Sequence, residues 1–147
     1  MTIPMLPMGS AAPVAFVPLA MPDVLRRRQM RGAVACRAGL AAEDIVARDY
    51  ERRGGNLARR RWRSFSGEID LIMRDGAVTV FVEVKKAASF DQAALRLSRR
   101  QMDRICLAAQ EYMACVPGGM LNDMRFDLAL VDGRGAVRVI ENAFGEN

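Results

Sequence analysis

Residues 67–85 read Gly67-Glu68-Ile69-Asp70-Leu71-Ile72-Met73-Arg74-Asp75-Gly76-Ala77-Val78-Thr79-Val80-Phe81-Val82-Glu83-Val84-Lys85. Apolar residues alternate with polar ones on both sides of Asp75-Gly76, a dipeptide that favours a tight hairpin turn, so the stretch predicts two antiparallel strands over 68–73 and 78–85. With Asp75-Gly76 as a two-residue loop, Asp70 lies opposite Phe81 and Glu68 opposite Glu83. Opposed residues share a face of the sheet, and faces alternate along a strand. One face then carries Ile69, Leu71, Met73, Val80, Val82 and Val84, an apolar surface ready for burial. The other carries Asp70, Glu83 and Lys85 beside Ile72 and Phe81. Two carboxylates and an amine on a hairpin this hydrophobic are costly unless the charges have something to hold.

Oxygen-rich acidic pairs suit a hard divalent cation, because Mg²⁺ takes one or two carboxylates and completes its shell with water and substrate phosphate. Lys85, on the same face, is placed to orient or deprotonate an attacking water or to neutralise charge developing on a phosphate. An ordinary surface hairpin with a Glu-Lys pair is the bland alternative. Against it, Asp70 followed by Glu83-x-Lys85 on the next strand resembles the metal-binding core of the restriction-endonuclease-like nuclease superfamily. More narrowly, Gly67-Glu68-Ile69-Asp70-Leu71-Ile72 and Phe81-Val82-Glu83-Val84-Lys85 resemble the small bacterial YraN-type family, regarded as nucleases of the Holliday-junction-resolvase type. The resemblance implies Mg²⁺ or Mn²⁺ as cofactor, Asp70 and Glu83 as its ligands with the carbonyl of Val84 as a further one, and Lys85 as a catalytic residue. Glu68 shares the face but sits a rung away from Lys85, which assigns it to structure.

The length of 147 residues suits one domain, and 51% apolar with 27% charged residues is a globular composition. A net charge of +5, carried mostly by arginine, favours an anionic partner. The chain has no histidine, which excludes Ser-His-Asp hydrolysis, Cys-His proteolysis, histidine-metal nucleases and Cys₂His₂ zinc sites. The three cysteines, Cys36, Cys106 and Cys115, are odd in number and lack C-x-x-C spacing, as expected of free thiols in a reducing cytoplasm.

Residues 1–34 differ in kind from the rest, with all but one of the six prolines. They lack an apolar run long enough to span a bilayer and the pattern of a secretory signal, so they read as a disordered tail or as residues upstream of the true start. The basic cluster Arg26-Arg27-Arg28 with Arg31 is either merely solvated or a nucleic-acid-binding arm. Residues 35–147 form the expected domain. Its first helix is predicted over 37–53 and stopped by Gly54-Gly55, with Leu40, Glu43, Ala47 and Tyr50 along one stripe and Val46 at its margin. A glutamate on a packing stripe either reaches out to water or serves the site. Gly39-x-x-x-Glu43 resembles the family's first motif, which implies that Glu43 turns toward the metal, binding it through water or holding a ligand in place.

A strand is expected over 57–64, carrying Arg59, Arg60, Arg61 and Arg63 around Trp62. With Lys86, Arg100 and Arg104 from later elements, Arg59, Arg61 and Arg63 are the candidates for contacts to a phosphate backbone. Trp62 is available for base stacking or for packing. Arg61 stands where related sequences tend to have Asn, and Ala87 where they commonly have Arg. Ser98-x-x-Gln101 is a capping box opening a helix that runs to about Ala114, with Met102, Ile105, Ala109, Tyr112 and Met113 as its apolar stripe. Residues 89–97 read as a loop or short helix, 124–131 as a strand and 136–140 as a return strand after the turn at Asp132-Gly133. Asp127 reads as structural, paired with an arginine.

Helix, strand, hairpin, helix and hairpin in that order predict an α/β fold, a mixed central sheet flanked by helices, as in restriction-endonuclease-like domains. The expected function is metal-dependent hydrolysis of phosphodiester bonds in DNA, including branched or repair intermediates, by a cytoplasmic protein with no membrane association. Resolving a four-way junction would require a homodimer. The alternative is a nucleic-acid-binding or adaptor module that keeps the fold without cutting.

Overall fold

A computed structural model describes residues 23–145 together with Thr2 and Pro4. The first helix, α1, spans Asp23–Arg52. It begins directly after Pro22, well before the predicted start near Arg37, so residues 23–34, assigned from sequence to the tail, are helical. The rest of residues 1–34, read from sequence as a tail, lies outside the described residues, apart from Thr2 and Pro4. Only the second half of α1 packs on the domain: Ala42, Glu43, Val46, Ala47 and Tyr50 are buried, whereas Leu40, expected on the stripe, is exposed. The helix ends where foreseen, with Gly54 at φ 93° and the Gly55 amide donating to the Tyr50 carbonyl at 2.9 Å.

Five strands follow: β1 (Asn56–Arg63), β2 (Glu68–Asp75), β3 (Val78–Lys86), β4 (Met124–Val131) and β5 (Val137–Ile140). They form one sheet in chain order, antiparallel except for the parallel pair β3 and β4. The crossover between those two carries helices α2 (Phe90–Ala94) and α3 (Arg99–Ala114). Helix α3 opens with the full capping box, the Ser98 side chain accepting from the Gln101 amide and the Gln101 side chain from the Ser98 amide. This is the expected α/β architecture, a mixed sheet flanked by helices, consistent with a restriction-endonuclease-like fold.

Both faces of the sheet are covered, so β3 at its centre is buried continuously from Thr79 to Glu83. Helix α1 covers Leu71, Met73, Val80, Val82, Ala129 and Val131. Helix α3 covers Ile72, Phe81 and Phe126 with Ile105, Ala108, Ala109 and Met113. Each fully buried side chain of this size contributes about 1.5–3 kcal/mol relative to exposure. Trp62 packs rather than waits for a base: its ring meets Tyr112 edge-on at 5.3 Å. Asp127 is structural as expected, taking Arg125 in a bidentate pair at 2.8 and 3.0 Å.

The hairpin register differs from the predicted one by two residues. Ile72, not Asp70, lies opposite Phe81, and the turn is Gly76-Ala77, closed by Asp75 and Val78. Gly76 at φ 59° takes the first central position, as a II′ turn requires. A shift of two preserves which residues share a face. Ile69 is the exception: it joins the α3-side cluster rather than the α1-side one.

Candidate active site

The β2–β3 ladder stops at Leu71 and Val82. Beyond that rung the Asp70 side chain takes over from the backbone, its Oδ2 accepting from the Val84 amide at 2.9 Å. Glu83 and Lys85 follow on β3, with Nζ of Lys85 3.0 Å from Oε1 of Glu83 and both side chains only 15% and 11% exposed. An ion pair so poorly hydrated holds only while both partners stay charged and close. Burial, then the charge of Glu83 and more weakly that of Glu43, push the Asp70 carboxyl up to about 7, against the pull of the Val84 amide and Lys85. Lys85 is taken by Glu83, so Asp70 is the acid left with the poorest compensation.

Glu43 reaches the same region from α1. Its carboxylate is buried and doubly engaged by Arg61, Nε to Oε2 at 3.0 Å and Nη2 to Oε1 at 3.1 Å. Arg61 has φ 43°, a left-handed conformation that suits Asn far better than Arg. The clamp on Glu43 offsets that strain and raises the Arg61 guanidinium pKa still further. Both oxygens hold Arg61 and each keeps a further lone pair, so Glu43 can orient Arg61 and still accept from a water in the cavity it lines.

Two cavities open beside the acids. One, of about 460 Å³, is lined by Glu43, Asp70, Glu83, Val84, Lys85 and Lys86, with Gly39 and Ala42 of α1 leaving room. The other, of about 180 Å³ on the α3 side, is lined by Asp70, Glu83, Glu68, Gln101 and Arg104. Asp70 and Glu83 thus border both, like posts between two openings of one cleft. Of the six basic candidates, Lys86 and Arg104 line these cavities. Arg61 approaches through Glu43, and Arg63 pairs with Glu68 at 2.9 Å on the rim. Arg59 and Arg100 line neither cavity and are exposed.

Sequence reasoning missed Arg96, which lines the larger cavity while its Nη1 donates to the Lys86 carbonyl at 2.9 Å. Nothing in the pattern around Arg96 marks it, because its placement depends on how α2 folds back. A larger space of about 530 Å³ lies between α3 and residues 142–145, but Asp103 is its only carboxylate and none of the site residues line it.

Among the described residues no group of three or more Asp, Glu or Cys side chains is preassembled around a cation position. The oxygen-only donor pair, the cavity beside it and the under-compensated charge on Asp70 fit a hard ion that keeps much of its own water. A thiolate-bound metal does not fit, because no cysteine lines either cavity.

Residues 42–131 match the model of the uncharacterised protein family UPF0102. The chain belongs to that family. A UPF0102 protein of Cereibacter sphaeroides strain KD131 is 58% identical over 115 residues, covering 78% of this chain and 98% of its own. One from Ruegeria pomeroyi is 58% identical over 108 residues, covering 74% and 88% of the two chains. A third, from Dinoroseobacter shibae, is 46% identical over 117 residues, covering 80% and 87%. The UPF0102 match takes in Glu43, Asp70, Glu83 and Lys85 and runs from the buried half of α1 to the end of β4. Among the described residues no helix is long and apolar enough to cross a membrane.

Proposed function

We propose that this UPF0102 protein is a metal-dependent phosphodiesterase that cuts DNA. The observation that carries this reading is the end of the β2–β3 hairpin, where Asp70 and Glu83 border the same two cavities and Lys85 lies 3.0 Å from Glu83. Asp70 and Glu83 would hold Mg²⁺ or Mn²⁺. The Val84 carbonyl would assist, since a strand residue presents its amide and carbonyl to the same side and the Val84 amide already faces Asp70. Such an ion supplies charge stabilisation at the phosphate and lowers the pKa of a bound water. Lys85 then donates hydrogen bonds to the attacking water or to the phosphoryl oxygens as negative charge grows there. Water adds to phosphorus, the bond to the 3′ oxygen breaks, and the proton lost by water ends on the leaving oxygen or in solvent. Glu43 positions Arg61, and Lys86 and Arg104 hold flanking phosphates from the two cavities. A homodimer would place two such sites on one branched substrate.

The test is cleavage of flapped and four-way DNA with Mg²⁺ or Mn²⁺ by wild type, Asp70→Ala and Lys85→Ala. Cutting by wild type that falls at least about a hundredfold in both variants is the expected result. If all three are inert yet retain DNA, the non-cutting binding module replaces this reading. If none cuts or binds, both fail.

A further inference from the structure

The turn joining β1 to β2 raises Phe65 wholly into solvent, 103% exposed against its reference value. A lone exposed apolar side chain is ordinary on a protein surface. What distinguishes Phe65 is the rigidity beneath it. Ser64 Oγ accepts from the amides of Ser66 and Gly67, both at 3.1 Å, and donates to the Gly67 carbonyl at 2.9 Å. Glu111, projecting from α3, accepts from the amides of Phe65 and Ser66 at 3.0 and 3.2 Å and from the Ser66 hydroxyl. The Ser66 hydroxyl first, and the Phe65 amide after it, hold the Glu111 carboxyl below its usual range, so the brace stays charged at neutral pH. The ring is thus mounted on backbone that loses little freedom when something docks on it.

The neighbouring charges are mixed: the Glu111 carboxylate beneath the turn, Arg63 paired with Glu68 at 2.9 Å, and Arg104 at the smaller cavity of the cleft. Arg63, two residues before it, has an 84% exposed side chain. Arg104 lies against Gly67, within 3.8 Å of where a side chain there would begin, and it lines the smaller cavity together with Gly67, Glu68, Asp70 and Glu83. A rigidly mounted aromatic ring two residues along the chain from Gly67, which lines the smaller cavity with Arg104, can stack on a nucleobase while arginine holds the backbone. In continuous duplex every base face is already covered, and opening a step costs a few kcal/mol. An unpaired base offers its face freely.

We infer that Phe65 is a stacking wedge for an unpaired base, and that the cleft therefore takes DNA at a boundary between single strand and duplex in preference to continuous duplex. This rests on the phosphodiesterase reading for the identity of the polymer, but not on cutting. The test is fluorescence anisotropy with the full chain in EDTA, using a single strand, a duplex bearing a single-stranded flap and a plain duplex. Phe65→Ala should weaken the first two by between about fivefold and a hundredfold and leave the plain duplex unchanged. Phe65→Trp should retain wild-type affinity and show indole quenching on the single strand. Equal affinity of wild type and Phe65→Ala for all three probes, or an equal loss on all three, overturns the wedge. So does a wild-type dimer that Phe65→Ala dissociates with DNA binding untouched, since the ring would then be a protein contact. Should wild type bind no probe either in EDTA or with Ca²⁺ in place of Mg²⁺, wedge and phosphodiesterase reading fall together; binding with Ca²⁺ that is equal for wild type and Phe65→Ala overturns the wedge alone. Should it bind but never cut, the wedge is judged by affinity alone.

Discussion

The sheet carries one buried and one half-buried aspartate, and treats them very differently. Asp127 on β4 is fully enclosed and fully partnered: it takes the Tyr50 hydroxyl at 2.7 Å, both arms of Arg125 and the Asn142 amide at 3.0 Å. It also ties α1 to the far end of the sheet, and burial together with the bond to Asp127 raises the Tyr50 hydroxyl pKa well above its ordinary value. Asp70, two strands away, is held by one backbone amide while Lys85 pairs with Glu83 instead, and cavities open on two sides of it. A buried acid whose acceptor capacity is saturated by the chain serves the fold. One left short of partners beside a cavity stores a demand that a ligand can meet.

The two can be set against each other by mutation. The largest effect is expected at the saturated site. Asp127→Ala leaves the Tyr50 hydroxyl and the Asn142 amide without their acceptor and Arg125 with only its longer ion pairs to Asp75 and Glu141, and should cost about 3–5 kcal/mol in urea unfolding, with no dependence on Mn²⁺. A loss below about 1 kcal/mol would show that Asp127 is dispensable to the fold.

Asp70→Asn should do the reverse. The folded state holds the Asp70 proton up to about pH 7, whereas the unfolded chain releases it near 4. Between those values the folded state binds more protons, so wild-type stability falls as pH rises through that window and the full penalty is present above it. Asn carries no such penalty. The variant should be more stable than wild type by about 1–3 kcal/mol at pH 7.5 without metal, the shift being discounted for water in the cleft, and no more stable at pH 4. Adding Mn²⁺ should raise the melting temperature of wild type and leave Asp70→Asn where it was. A variant less stable than wild type at both pH values would remove the distinction between the two aspartates.

Glu43 lies between these extremes, held by a single arginine. Replacing Arg61 by Asn relieves the left-handed strain but leaves the buried Glu43 carboxylate without its arginine, so stability should fall by about 1–3 kcal/mol. Arg61→Ala, which loses the clamp without that relief, should be lower still by about 0.5 kcal/mol in the same thermal measurement.

The hairpin faces were legible, Ile69 apart, because they depend on parity, which survived a misplaced turn. Gly76 could serve a turn as its second or its first central residue, and alternation cannot choose between them. The capping box at Ser98 and Gln101 was readable because its partners are three residues apart. The clamp of Arg61 on Glu43, the brace of Glu111 on the Phe65 turn and the entry of Arg96 into the cleft were not. Each joins elements whose relative placement is decided by packing on the sheet, and neither spacing nor composition encodes that. The early start of α1 was hidden because its first half has no packing stripe to read.

The parallel pairing of β3 with β4 has a consequence for the order of assembly. Those strands meet only after the segment carrying α2 and α3 has looped across, whereas β2 and β3 close over a two-residue turn, an event of order 1–10 μs. Asp70 and Glu83 are therefore forced side by side at the outset, with Lys85 alongside them on the same short ribbon. The mutual repulsion of the two acids is thus present from the first ribbon, whereas the larger penalty, the burial of Asp70, arrives only when the helices pack on the sheet.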